Sequence, residues 1–106
     1  MTYAKKGRLD EAISEYKDAI AIKPNYAKAH YNLANAYATK NMVDETISEY
    51  KRALAINPNY VEAHINLGVA YYYKKNYKLA IAHCDKAVAL GFSVNPKLLE
   101  LLKPYR

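Results

Sequence analysis

The chain has 106 residues, 52% of them hydrophobic and 25% charged, with a formal net charge of +6. That length supports one domain with a modest core, and no apolar run approaches the ~18–20 residues that a membrane-spanning helix needs. A single cysteine, Cys84, excludes a disulfide framework and a cysteine-rich metal site. The twelve tyrosines, against one phenylalanine and no tryptophan, suit both a core and a wet surface.

Taken in chain order, Met1 to Lys6 reads as the stub of a first helix, and Gly7 as the left-handed residue that ends it. Leu9 to Ile22 reads as a complete second helix, stopped before Pro24. His30, Leu33, Ala34 and Tyr37 lie at i, i+3, i+4 and i+7 and mark the inner face of the next helix. Asn41 is expected to end it in a left-handed conformation. Asp44 and Glu45 then open a helix where acids suit the positive dipole end, and Ile47, Tyr50, Ala53 and Leu54 form its stripe. Pro58 follows it.

The segment 61–94 repeats 27–60 at a shift of 34 residues. Ala29-His30 returns as Ala63-His64, Asn32-Leu33 as Asn66-Leu67, Tyr37 as Tyr71 and Ala53 as Ala87. Lys75 takes the turn position of Gly7 and Asn41. Asn95-Pro96 begins a last helix, with Asn as cap and Pro at its first position; Leu98, Leu101, Leu102 and Tyr105 continue the core spacing. The chain thus divides into a partial repeat at 1–26, repeats at 27–60 and 61–94, and a closing helix at 95–106.

A period of this size with helical spacing means stacked helix pairs. The residues resemble the tetratricopeptide repeat family, whose signature is W-x2-L-G-x2-Y, then A-x3-F, then P. One unit reads His30-x2-Leu33-Ala34-x2-Tyr37, Thr46-x3-Tyr50 and Pro58; the next reads His64-x2-Leu67-Gly68-x2-Tyr71 and Ala80-x3-Cys84. His replaces Trp in both, and Phe92 stands where Pro is expected. The resemblance implies an all-α, right-handed α-solenoid of stacked antiparallel helix pairs with a closing helix. It also implies that the outward face of the first helices lines a concave groove where partners dock.

At about 100° per residue, Lys28, Tyr31, Asn32, Asn35 and Thr39 lie away from the core stripe in one unit. In the next, Glu62, Ile65, Asn66, Val69, Tyr72 and Tyr73 share that face. Asn amides can bond an extended peptide backbone with both donor and acceptor, and Asn32 and Asn66 repeat along the groove edge as a ladder. Packing against neighbouring helices is the competing role for Tyr72 and Tyr73. Lys6, Lys40 and Lys74 form a second ladder, flanked by Lys5 and Lys75. They compensate helix dipoles, or form a basic rim for an acidic partner segment. Family members that grip a C-terminal carboxylate use Lys, Asn and Arg from three successive first helices. Asn35 and Asn66 fit two of those slots, but Tyr31, Pro96 and Glu100 stand where cations belong, so that specificity is not expected.

His30 and His64 recur, yet each fills the family's aromatic core slot, so packing is favoured over metal binding. His83 and Cys84 point about 100° apart on a helix and do not chelate easily; Cys84 reads as a small core residue. No nucleophile–base set and no phosphate loop appear, so neither an enzyme nor a cofactor is implied. The leading reading is a module that binds a protein or peptide within a larger scaffold. The alternative is an RNA-binding helical repeat, suggested by the net charge and opposed by the lack of Arg on the groove helices. Self-association through the N-terminal end is also expected, because Ile13, Tyr16 and Ile20 would lack a full partner helix. No targeting or membrane segment is visible, which makes the cytoplasm the default compartment for a chain that reads as a piece of a longer one.

Overall fold

The computed structural model describes residues 2–106, with side chains from residue 7 onward. Among the described residues six α-helices follow one another: α1 (Thr2–Ile22), α2 (Ala27–Thr39), α3 (Val43–Ile56), α4 (Val61–Tyr73), α5 (Tyr77–Ala89) and α6 (Pro96–Leu102). A short 3-10 turn, Lys103–Tyr105, ends the chain. Each helix packs chiefly against its neighbours in sequence, as in a solenoid. No described helix is long and apolar enough to cross a membrane.

Gly7 does not end a first helix. Residues Thr2–Ile22 form one continuous helix, and Gly7 lies inside it. Among the described residues only Asn41, Lys75 and Gly91 have positive φ. A break at Gly7 would create two new helix ends with orphan backbone groups. Carrying a glycine through the helix costs only ~1 kcal/mol. Tyr3, Lys5 and Lys6, assigned to the stub, lie outside the described side chains. Ile13, Tyr16 and Ile20 on α1 are half-buried.

The other turns follow the sequence closely. After α2, Asn41 (φ 62°) donates its N–H to Ala38 O, and Met42 donates to Tyr37 O. After α4, Lys75 (φ 62°) and Asn76 make the same pair of bonds to Tyr72 O and Tyr71 O. Gly91 (φ 90°) and Phe92 repeat it after α5, bonding Val88 O and Ala87 O. All three are Schellman caps, which absorb the last free carbonyls of the helix. Asn95 caps α6 by accepting from Lys97 N at 2.9 Å, with Pro96 in the first turn.

Among the described residues the core forms two linked clusters. Ala34, Tyr50, Ala63 and Leu67 pack where α2, α3 and α4 meet. Val61, Ala80, Cys84 and Ala87 pack with Val94, Leu98 and Leu102, so α6 closes the end of the array. Leu99 packs beside them, whereas Leu101, expected on the core face, is exposed. Gly68 allows α4 and α5 to approach: a Cβ there would stand 3.0 Å from Cys84 Sγ and 3.2 Å from the Ala80 carbonyl.

Candidate functional site: the concave groove

The helix order sets α2 and α4 side by side as successive first helices, with α3 behind them. Asn66 on α4 donates from Nδ2 to Tyr31 Oη at 3.2 Å and to Asn35 Oδ1 at 3.3 Å, both on α2. Tyr50 reaches from α3 and donates its hydroxyl to the same Asn35 oxygen. Burial pushes the Tyr50 hydroxyl up to about 12, against a smaller downward pull from the Asn66 amide, so it stays a donor at neutral pH. Both N–H groups of Asn66 are thereby used, and Asn35 Oδ1 accepts twice. An amide has two donors and one acceptor oxygen. The Asn35 Nδ2 donors and the Asn66 Oδ1 acceptor are therefore left over, without a hydrogen bond among the described residues.

A groove of about 670 Å³ opens over this network. Asn35 and Thr39 line it from α2, Thr46 and Tyr50 from α3, and Asn66, Val69 and Tyr73 from α4. Ala38, Val43 and Ala70 supply apolar wall, and among the described residues no lining residue is charged. Tyr73 stands 71% exposed at its edge.

Five of the sequence-assigned groove residues meet here: Asn35, Thr39, Asn66, Val69 and Tyr73. Tyr31 lies beneath, half-buried and stacked on Tyr60 with ring centroids 4.8 Å apart. Ile65 and Tyr72 pack toward the C-terminal cluster, Tyr72 edge-on to Tyr77 at 5.8 Å. Lys28 and Glu62 are exposed and Asn32 is half-buried, all three outside the lining. The amide that meets Asn66 is Asn35, 31 residues earlier, not Asn32 at the 34-residue repeat distance. Successive first helices are staggered by about one turn, so contact and sequence period differ. Tyr50 is both core and site: its ring is buried while its hydroxyl joins the groove network. Composition was the available signal, since a tyrosine at a core slot brings a polar tip that must find a partner.

The lysine ladder takes a different form from a free basic rim. Lys40 pairs with Asp10, and Lys74 Nζ lies 3.0 Å from Asp44 Oδ1. Each lysine meets the acid 30 residues before it, and those acids themselves repeat at 34 residues. The ladder therefore ties neighbouring units together, at a modest gain for exposed pairs. Lys75 is exposed in its turn.

The two histidines are buried and hydrogen-bonded. His30 Nε2 donates to Pro24 O at 2.9 Å, and His64 Nε2 to Pro58 O at 2.7 Å, fastening each first helix to the preceding turn. The other ring nitrogens differ: His30 Nδ1 meets Glu49 Oε1 at 2.8 Å, while His64 Nδ1 meets His83 Nδ1 at 3.0 Å. Among the described residues no three His, Cys, Asp or Glu side chains gather as a metal site. Cys84 is fully buried, and burial pushes its thiol up, away from the nucleophilic thiolate.

The helix pairs, their caps and this groove define a tetratricopeptide-type array. A TPR repeat model matches residues 2–41 and 40–75, and a tetratricopeptide repeat model matches residues 61–90. The chain belongs to the tetratricopeptide repeat family. No curated protein matches it. Solved structures of similar fold include MamA, at 28% identity and a TM-score of 0.77 over 79% of this chain and 49% of that one. YrrB, described as a TPR protein with an unusual peptide-binding site, is 26% identical, with a TM-score of 0.72 over 82% of this chain and 45% of that one. The first TPR of Spaghetti (RPAP3), solved bound to the HSP90 peptide SRMEEVD, shares the fold at 24% identity and a TM-score of 0.83 over 97% of this chain and 81% of that one. The chain spans about half the length of the MamA and YrrB chains.

Proposed function

We propose that this chain is a protein-interaction module that holds a peptide or protein segment in its concave groove, as part of a larger scaffold, and carries out no chemistry of its own. The observation that carries this reading is the open groove in which Asn35 and Asn66 keep unspent amide groups beside apolar wall. Satisfying internal contacts would not require such a surface, whereas a ligand backbone would use it. Membership of a family of interaction repeats supports the reading, as does the similarity to YrrB, which has a peptide-binding site. RNA binding is the weaker alternative, because the described groove lining offers no cation to a phosphate backbone.

The test is selection of peptides from a random display library on the whole chain, followed by affinity measurements on variants. Asn66→Ala and Tyr73→Ala should each weaken the selected peptides, by ~0.5–3 kcal/mol for the Asn66 change. Lys51→Ala, on the exposed side of α3, should leave affinity unchanged. Loss of binding with Lys51→Ala alone would move the ligand to the convex side and end this reading.

A further inference from the structure

We infer that the groove takes an uncharged, internal stretch of extended peptide, read through its backbone, rather than an acidic segment or a chain's terminal carboxylate. This rests on the groove reading above and names its ligand class.

Three observations converge. The first is the hydrogen-bond pattern left over by the Tyr31–Asn35–Tyr50–Asn66 network: two donors on Asn35 and one acceptor on Asn66. An extended backbone presents the matching pair, a carbonyl for Asn35 and an N–H for Asn66. A carboxylate presents acceptors only, so it would satisfy Asn35 and confront the Asn66 oxygen. A helical ligand has spent its backbone groups internally and could use neither amide.

The second observation is charge. Among the described residues none of the groove-lining side chains is a cation, and the described ladder lysines already face acids, Lys40 with Asp10 and Lys74 with Asp44. A carboxylate drawn into the groove would lose hydration without a compensating ion pair. The third is the apolar wall. Val43 and Val69 flank the amides, and the exposed Tyr73 ring stands at the edge. An aliphatic or aromatic side chain beside the bound peptide group would cover them.

The experiment uses synthetic octapeptides, acetylated and amidated, built from Gly, Ala, Val, Leu, Phe, Tyr, Ser, Thr and Asn. Each binder is remade with Glu at every position in turn, and again with a free carboxyl terminus. Affinity is measured on the whole chain at about 50 and about 500 mM salt. The inference expects capped, uncharged peptides to bind, with less than about a twofold change between the two salts. Glu at the central position should weaken them about tenfold or more, and a free terminus should give no gain. Asn66→Ala should weaken them about 3- to 30-fold. Thr39→Lys places a cation in the groove from an exposed position and should shift the preference toward the Glu-bearing peptides.

If only peptides with Glu or a free carboxylate bind, and Asn66→Ala still abolishes that binding, the groove reading stands and this inference falls. It also falls if no uncharged peptide binds at about millimolar concentration. If binding ignores Asn66→Ala and Thr39→Lys but is lost with Lys51→Ala, the groove reading itself falls.

Discussion

His30 and His64 occupy one repeat position, yet they face opposite chemistry. His30 meets the Glu49 carboxylate, which Arg52 also holds at 2.7 Å, whereas His64 meets the ring of His83. His83 is also stacked on Tyr71, with centroids 5.7 Å apart. Burial, then His64 and Lys51, lower the pKa of His83. The unfolded chain therefore takes up this proton at higher pH than the folded one, so stability is full above about pH 6.5 and falls as pH drops below it. His83→Glu copies the Glu49 arrangement into the second unit, with Lys86 at the position of Arg52. Its stability should gain on the wild type as pH falls from about 7.5 to about 5.5, by ~0.5–1.5 kcal/mol. Thermal melts of both chains across that range measure it. A constant difference would show that the imidazole pair carries no proton linkage.

At the scale of the elements, the turns separate what register alone can tell from what it cannot. Asn41 and Lys75 were legible as left-handed residues because each sits at the same offset after a periodic stripe, and both have φ 62°. Asparagine tolerates that region, but lysine is strained there. Lys75→Gly should therefore stabilise the chain by up to ~1 kcal/mol, while Asn41→Gly should change it less; denaturant midpoints compare the two. A clear loss on Lys75→Gly would mean that the lysine side chain supports the turn. Gly7 has the same offset, yet it lies inside the continuous helix α1, so register alone did not fix the turn there. The central stripe was also legible. Leu67 is completely buried between α3 and α4, and Leu67→Ala should cost ~2–5 kcal/mol in an unfolding titration. A cost below ~0.5 kcal/mol would contradict its place in the core.

For the whole molecule, the repeat period made the architecture readable before any coordinates, and five of the eleven residues assigned to the groove face line the groove. It could not place contacts between units, because those depend on the stagger of one helix against the next. Across units, Asn66 meets Asn35 instead of Asn32, and Lys40 and Lys74 meet acids of the preceding unit; within the unit 27–60, the Tyr50 hydroxyl reaches Asn35. The aspartates were visible as a repeat of their own, Asp10 and Asp44, and were the missed signal for the ion pairs of Lys40 and Lys74. The proposed seat of the ligand on the concave face is read out by backbone amide chemical-shift mapping of the labelled chain, titrated with the tightest capped octapeptide. Saturating shifts confined to the surroundings of Asn35, Thr39, Asn66 and Val69 are the predicted result. Shifts centred on Ser48, Lys51 and Arg52 of α3, with the groove amides unmoved, would contradict it.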